Sequence, residues 1–355
     1  MLKENPCLNN LKKYISGKAI QEKKLIKLNA NENPYGINLD SKSISNLLQK
    51  CNHYPSLSTS TLKKSIAALH NINQNQISVT NGSDEVLALI NLAYLNEKSV
   101  VITSQNTFSQ YEFMANLANA KLKTVSLKKD YQQNLDEILI EANKHQESCC
   151  CIASPNNPTG IAINPKDLKS FLDRYPRNSA VILDQAYEEY NEKNQETKPH
   201  ELLSNYRNLI IMRTFSKAYG LAGFRIGYAL SSPKIIENLE KVKQPFNVNK
   251  PAIAAAIQQL EDINFIKKTR KLNNIQKIKI EEFFKKNHIS YLKSDANFHY
   301  IDLKKCAKTF CEKMEENGVL VRDLSHFGFK SCIRVSIGTE EENIKFMEAF
   351  LKCKN

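Results

Sequence analysis

The sequence lacks any apolar run long enough to cross a bilayer. Its best candidates, residues 86–94 and 251–260, are polar at their ends and fall well short of the roughly 18 to 20 residues a spanning helix needs. Residues 1–10 carry Lys, Glu, Asn and Pro where an export signal would be continuously apolar, so a soluble protein of the cytoplasm is expected. There is no even, spaced set of cysteines. The nine cysteines are odd in number, and Cys149, Cys150 and Cys151 are adjacent in a strand-like segment, which points to reduced, mostly buried thiols instead of a disulfide framework. Paired metal-ligand spacing is also missing: Cys306 and Cys311 have no second pair nearby, and no metal is expected. Finally, no basic stripe interleaved with aromatics accompanies the net charge of +13. The lysines fall in scattered pairs (12 and 13, 23 and 24, 63 and 64, 267 and 268) among Glu, Asn and Gln, as on a solvated surface, so neither nucleic acid nor membrane is expected as a partner. A positive field of this kind favours an anionic small molecule.

What is present is a chain of 355 residues, 41% hydrophobic, enough for about two domains. Between residues 76 and 230, short apolar runs alternate with amphipathic stretches. Residues 77–80, 100–103, 150–153, 180–183, 209–213 and 226–230 read as strands. Most are separated by segments long enough for crossover helices, which predicts an α/β fold with a buried, mostly parallel sheet covered on both faces. After Pro245 the pattern becomes helical over 253–284, followed by strands at 298–303, 319–322 and 332–337. The expected organisation is an N-terminal arm (1–30) joining the small domain, a large domain (31–245) and a smaller α+β domain (246–355), packed together without a flexible linker.

Five segments carry chemistry. After the 209–213 strand, Lys217 lies among Thr214, Ser216 and Arg225, two hydroxyls and a guanidinium suited to a phosphate dianion. A lysine that reacts as a nucleophile needs burial or neighbouring cations to shed its proton, and this loop could supply both. The 77–86 segment reads as a strand, an Asn81-Gly82 turn and a helix starting at Ser83, whose free N–H groups can meet an anion; an ordinary capped turn has the same sequence. Residues 153–160 form a Pro- and Asn-dense loop at a strand end, where open parallel sheets bind ligands, and place Asn157 there as a donor. Asp184 ends an apolar strand, followed by Tyr187. It either caps the next turn or meets a cation, a pyridinium nitrogen being the cation that would make a ring an electron sink. Arg334 on the last strand is either an edge ion pair or a clamp for carboxylate or phosphate.

The segments SPNNPTG (154–160), Asp184-x-Ala186-Tyr187 and Ser216-Lys217 with Arg225 and Gly227 resemble fold-type I, class II aminotransferases. More narrowly, LNANENPYG (28–36), His53-Tyr54-Pro55, NGSDE (81–85), residues 214–225 and residues 334–339 resemble histidinol-phosphate aminotransferases, from about residue 11 to the C-terminus. The resemblance implies a fold-type I transferase whose large domain holds a seven-stranded-type sheet, with pyridoxal 5'-phosphate as cofactor. It implies that Lys217 carries the cofactor as a Schiff base and moves the proton, Asp184 pairs with the ring nitrogen, Asn157 and Tyr187 meet the ring hydroxyl, and Phe108 stacks on the ring. Ser83, Asp84, Thr214, Ser216 and Arg225 would hold the phosphate, with Tyr54 reaching in from the partner of a homodimer. Tyr14, Asn33, Arg322 and Arg334 would bind the substrate. The implied reaction moves an amino group between L-histidinol phosphate and 2-oxoglutarate; a related activity on another small phosphorylated or aromatic amine is the alternative. Decarboxylation is disfavoured, because Tyr14-Ile-Ser-Gly17 stands in place of a His-Gly-Gly stretch. Gln185 and the pair Gln105-Asn106 depart from the family pattern, which usually has Glu and proline there.

Overall fold

The computed structural model describes residues 4, 6–11, 25–37, 42, 45, 48–49, 51–57, 59–192 and 198–354. Its strands are β1 (Ile26–Lys27), β2 (Ile77–Thr80), β3 (Val100–Ser104), β4 (Lys121–Val125), β5 (Cys149–Ala153), β6 (Ala180–Asp184), β7 (Leu209–Thr214), β8 (Gly227–Ser231), β9 (Ser290–Tyr291), β10 (Phe298–Asp302), β11 (Val319–Leu320), β12 (Arg322–Asp323) and β13 (Cys332–Ser336). Seven of them form one sheet in the order β2-β8-β7-β6-β5-β3-β4. All pairings are parallel except the two made by β8, so β8 alone runs against the rest.

The alternation along each strand sorts side chains to the two faces. On β5, Cys150 and Ile152 join the cluster with Val181, Leu183 and Ile211, whereas Cys149 and Cys151 join Ile182, Ile210 and Met212 on the opposite side. Helices Ser60–His70, Pro165–Arg174 and Lys250–Glu261 cover the first face, and Ser83–Tyr94, Gln110–Leu117 and Pro233–Val242 the second. This is the doubly covered α/β sheet the apolar runs predict. β4 was not among the expected strands. Its Lys-Leu-Lys-Thr-Val sequence is that of an outer strand, half exposed, with lysines at the sheet's edge.

A second, antiparallel sheet, β12-β13-β10-β9, packs on Ile263–Lys286, Ala307–Glu316 and Glu340–Lys354. β1 pairs in parallel with β11, tying the segment before residue 28 to this layer. Two expectations are corrected. The helix read over 253–284 is two helices, because the Asp262 carboxylate accepts from Phe265 N at 3.0 Å and starts a new one. The 319–322 strand is split, with Val319–Leu320 in the β1 pair and Arg322–Asp323 in the larger sheet.

Candidate active site

A cavity of about 530 Å³ opens where the parallel strands end. Strand ends are where successive crossovers leave loops free to converge, so β2, β3, β5, β6 and β7 each deliver residues to it. Lys217, Asp184, Tyr187, Asn157, Phe108, Ser83, Asp84, Thr214, Ser216, Arg225, Arg322 and Arg334 all line it.

Lys217 sits three residues past β7, its Nζ donating to the Ala30 carbonyl at 3.0 Å. Burial, then the Arg334 charge, lowers its pKa to about 8, so it gives up its proton more readily than an exposed lysine. Asp184 closes β6. Its Oδ1 accepts from Ala186 N at 3.0 Å and its Oδ2 from the Tyr111 hydroxyl at 2.7 Å. The capping reading of this aspartate holds, since one oxygen caps a turn, and the residue also lines the cavity. Burial raises it to about 6, the cost of a carboxylate held without a full counter-charge.

The wall around Arg225 is built from glycines that admit other groups. Gly82, at φ 80°, lies two residues past β2 and caps the helix Ser83–Tyr94; a Cβ there would stand 2.6 Å from Arg225 Nη2. A Cβ on Gly227 would stand 2.7 Å from Ser83 N. Only without side chains at these positions can the β7–β8 loop press Arg225 and the helix N-terminus together. Arg225 lies 4.0 Å from Asp84 and donates weakly to Ser216 Oγ at 3.4 Å, leaving a cluster of N–H and O–H donors at a helix start.

On the other wall, Arg334 is buried, donating to Asn157 Oδ1 and, at 3.0 Å, to the Asn29 carbonyl. Arg322 on β12 stands directly opposite Arg334 on β13. Two facing cations on adjacent strands repel, and an anion bound between or beside them offsets that cost.

Some expectations land elsewhere. Asn33 does not line the cavity: its amide donates to Ala218 O at 2.9 Å and buttresses the Lys217 loop from outside. Tyr54 is 80% exposed and stacked on Phe246 with centroids 4.5 Å apart, away from its own chain's cavity. Tyr14 lies outside the described residues. Three residues were missed. Tyr111 grips Asp184, Asn31 donates to the Tyr187 hydroxyl at 3.0 Å, and Asn29 receives Arg334. Asn29 and Asn31 lie in the same 28–36 motif as Asn33, and membership of that motif was the signal that could have found them.

The residues present fit pyridoxal phosphate. A buried carboxylate whose pKa is raised for want of a cation, a lysine of lowered pKa, and a cluster of phosphate donors converge on one cavity. Among the described residues no group of His, Cys, Asp and Glu could hold a metal ion, and no helix is long and apolar enough to cross a membrane.

The chain matches the family described as aminotransferase class I and II over residues 23–350. It is 37% identical to histidinol-phosphate aminotransferase 2 of Haemophilus influenzae (strain 86-028NP), covering 98% of this chain and 97% of that one. It is also 37% identical to histidinol-phosphate aminotransferase of Bacillus subtilis (strain 168), covering 95% of each. The solved histidinol-phosphate aminotransferase of Sinorhizobium meliloti, in complex with pyridoxal-5'-phosphate, superposes with a TM-score of 0.90 over 100% of this chain and 98% of that one, at 23% identity. A full-length match of this kind, falling on a cavity built around a buried lysine, places the chain in the class I and II aminotransferases, as a pyridoxal-phosphate-dependent enzyme of the histidinol-phosphate aminotransferase group.

Proposed function

We propose that this enzyme transfers the amino group of L-histidinol phosphate to 2-oxoglutarate. The observation that carries the substrate reading is the pair Arg322 and Arg334, facing each other across β12 and β13 at the cavity that holds Lys217. A donor with an anionic end fits there, and the relatives' names supply histidinol phosphate as that donor.

Bound pyridoxal phosphate supplies an aldehyde carbon that accepts the amino group and a ring that withdraws electrons from the adjacent carbon. Lys217 would hold the cofactor and serve as the proton carrier, a role its lowered pKa supports. Asp184, oriented by Tyr111, would pair with the ring nitrogen and favour its protonated form. Asn157 and Tyr187, oriented by Arg334 and Asn31, would hold the ring hydroxyl, and Phe108 would stack on the ring. Ser83, Asp84, Thr214, Ser216 and Arg225 would hold the phosphate. Arg334 anchors the anionic end of the donor, with Arg322 beside it. Tyr14 would add a substrate contact, and Asn33 would act only through the Lys217 loop it supports.

The chain is read as an arm (1–30), a large domain (31–245) and a small domain (246–355), the β1–β11 pairing supporting attachment of the arm to the small domain. It is read as a cytoplasmic homodimer. The exposed Tyr54, stacked on Phe246 with exposed Leu57 near it in sequence, supports a partner on that face that receives Tyr54 at its own phosphate site. Nine free cysteines suit a reducing compartment.

The test is a panel of amino donors added to purified holoenzyme while the cofactor absorption is followed. Histidinol phosphate should convert the spectrum at the lowest concentration. If it leaves the spectrum unchanged while another amine converts it, the substrate reading fails.

A further inference from the structure

One contact joins two segments that each contribute to the cavity lining and belongs to none of the roles above. Asn106, between β3 and Phe108, donates its side-chain amide to the carbonyl of Phe327, in the turn Ser325–Phe327 that follows β12. The structure gives the residue two local reasons to be asparagine. Its backbone is left-handed, at φ 54°, which asparagine tolerates better than other side chains. It also supplies the N–H₂ that reaches the opposite wall.

Both ends of the contact are anchored. On the sheet side, Gln105 N donates to Val125 O at 2.7 Å and the Thr107 hydroxyl to Asn156 Oδ1 at 2.6 Å, so the residues flanking Asn106 are tied to β4 and to the loop that carries Asn157. On the turn side, Asp323 Oδ1 accepts from Ser325 N and Oγ at 2.8 and 2.7 Å, and Leu324 N donates to Cys332 O at 3.1 Å. The turn therefore moves with β12, the strand of Arg322. Gly328 makes room for the contact: its φ is 88°, and a Cβ there would stand 2.5 Å from Asn106 Nδ2. Phe108, two residues from the donor, and His326 and Phe327, at the acceptor, all line the cavity.

We propose that Asn106 is a positioning residue for the donor side of the active site, fixing the wall of Arg322, His326 and Phe327 at a set distance from the Phe108 loop. This rests on reading the cavity as the donor site. The cofactor's anchors lie on the sheet side, and Asn106 spans to the other wall, so its loss should weaken donor binding and leave cofactor binding intact.

The experiment compares wild-type holoenzyme with Asn106→Asp and Asn106→Gly. Both keep a residue at ease in the left-handed region and both lose the amide donor, so backbone strain does not enter. Gly328→Ala attacks the contact from the other side. We expect KM for histidinol phosphate to rise about three- to tenfold, the range one ordinary hydrogen bond supplies, with kcat and the dissociation constant for pyridoxal phosphate unchanged. Amide exchange over residues 327–329, whose N–H groups bond back to Leu324 and Ser325, should quicken in the same variants. Wild-type KM or wild-type exchange in both Asn106 variants overturns the proposal. So does an equal loss of cofactor affinity, which would mean that the contact acts through the whole fold. A wild-type enzyme that ignores histidinol phosphate refutes the substrate reading alone, because the exchange rates still decide the role of Asn106.

Discussion

Replacing Lys217 with Met should make the cofactor-free protein more stable at pH 7, and the gain should shrink as pH rises. Lys217 has its pKa lowered from 10.5 to about 8, chiefly by burial. Because the folded state releases this proton first, the unfolded chain binds more protons between pH 8 and 10.5, and stability rises with pH across that window. Below pH 8 the fold carries the full cost of an ammonium in a confined site. A shift of that size corresponds to about 3 kcal/mol; screening by water in the open cavity reduces this to roughly 2 kcal/mol. Methionine keeps most of the stem but loses the hydrogen bond to Ala30 O, a loss of about 1 kcal/mol that does not change with pH. At pH 7 the net gain is then about 1 kcal/mol, and near pH 10 it should vanish or reverse. With an unfolding entropy near 2.1 cal/mol/K per residue, 1 kcal/mol in a chain this long moves Tm by only about 1 to 2 °C. The decisive quantity is therefore the change in the difference between pH 7 and pH 10, measured by calorimetry on matched cofactor-free samples. A difference that stays constant with pH, or grows, refutes the claim that Lys217 is held at a lowered pKa.

Asp184 gives a second pH effect of opposite kind. Its carboxyl is raised to about 6 by burial, so it gains a proton as pH falls through 6 and can no longer pair with a protonated ring nitrogen. Fluorescence titration should show pyridoxal phosphate affinity falling below pH 6, and Tyr111→Phe, which removes a hydrogen bond that favours the ionised form, should move that fall to higher pH. Arg225→Met should raise the dissociation constant for pyridoxal phosphate about 10- to 100-fold, the value of a charge-assisted hydrogen bond; an unchanged constant would remove Arg225 from the phosphate site. Arg334 is the second cause of the lowered Lys217 pKa. In Arg334→Met, the pH at which cofactor-free enzyme takes up pyridoxal phosphate at half its maximal rate should shift upward, and an unshifted midpoint would show that burial acts alone.

How much was legible depended on whether the information was local. Strands buried on both faces announce themselves as apolar runs, so six of the seven strands of the large sheet could be read directly; β4, with lysines at positions 121 and 123, looked like surface because an outer strand largely is surface. The lysine loop was legible because Thr214, Ser216, Lys217 and Arg225 lie within twelve residues, and a donor cluster made by one loop leaves its spacing in the sequence. The partners that tune the site were not legible. Tyr111 meets Asp184 across 73 positions and Asn31 meets Tyr187 across 156, and no periodicity within either segment encodes the meeting. The motif that contains Asn29, Asn31 and Asn33 fixes their order, whereas the side each one faces is set by the turn they enter.

The long-range partners also explain why the reactive lysine cannot be understood from its own loop. Burial is the largest cause acting on its pKa; of the charges, Arg334 comes from β13, Glu32 from the segment after β1, Asp84 from the helix after β2 and Arg225 from its own loop. The two arginines lower the pKa and the two carboxylates raise it, so charges from both sheets and the segment that joins them adjust a value that burial sets. Arg334 occupies its place because Asn157 and the Asn29 carbonyl hold it there, one from the large sheet's loop and one from the strand-like N-terminal segment. A donor anion that engages Arg334 weakens the cationic influence on Lys217 and shifts the amine toward its charged form. If Arg334 is the substrate's anchor as proposed, binding at the anionic end and the protonation of Lys217 are linked through one guanidinium.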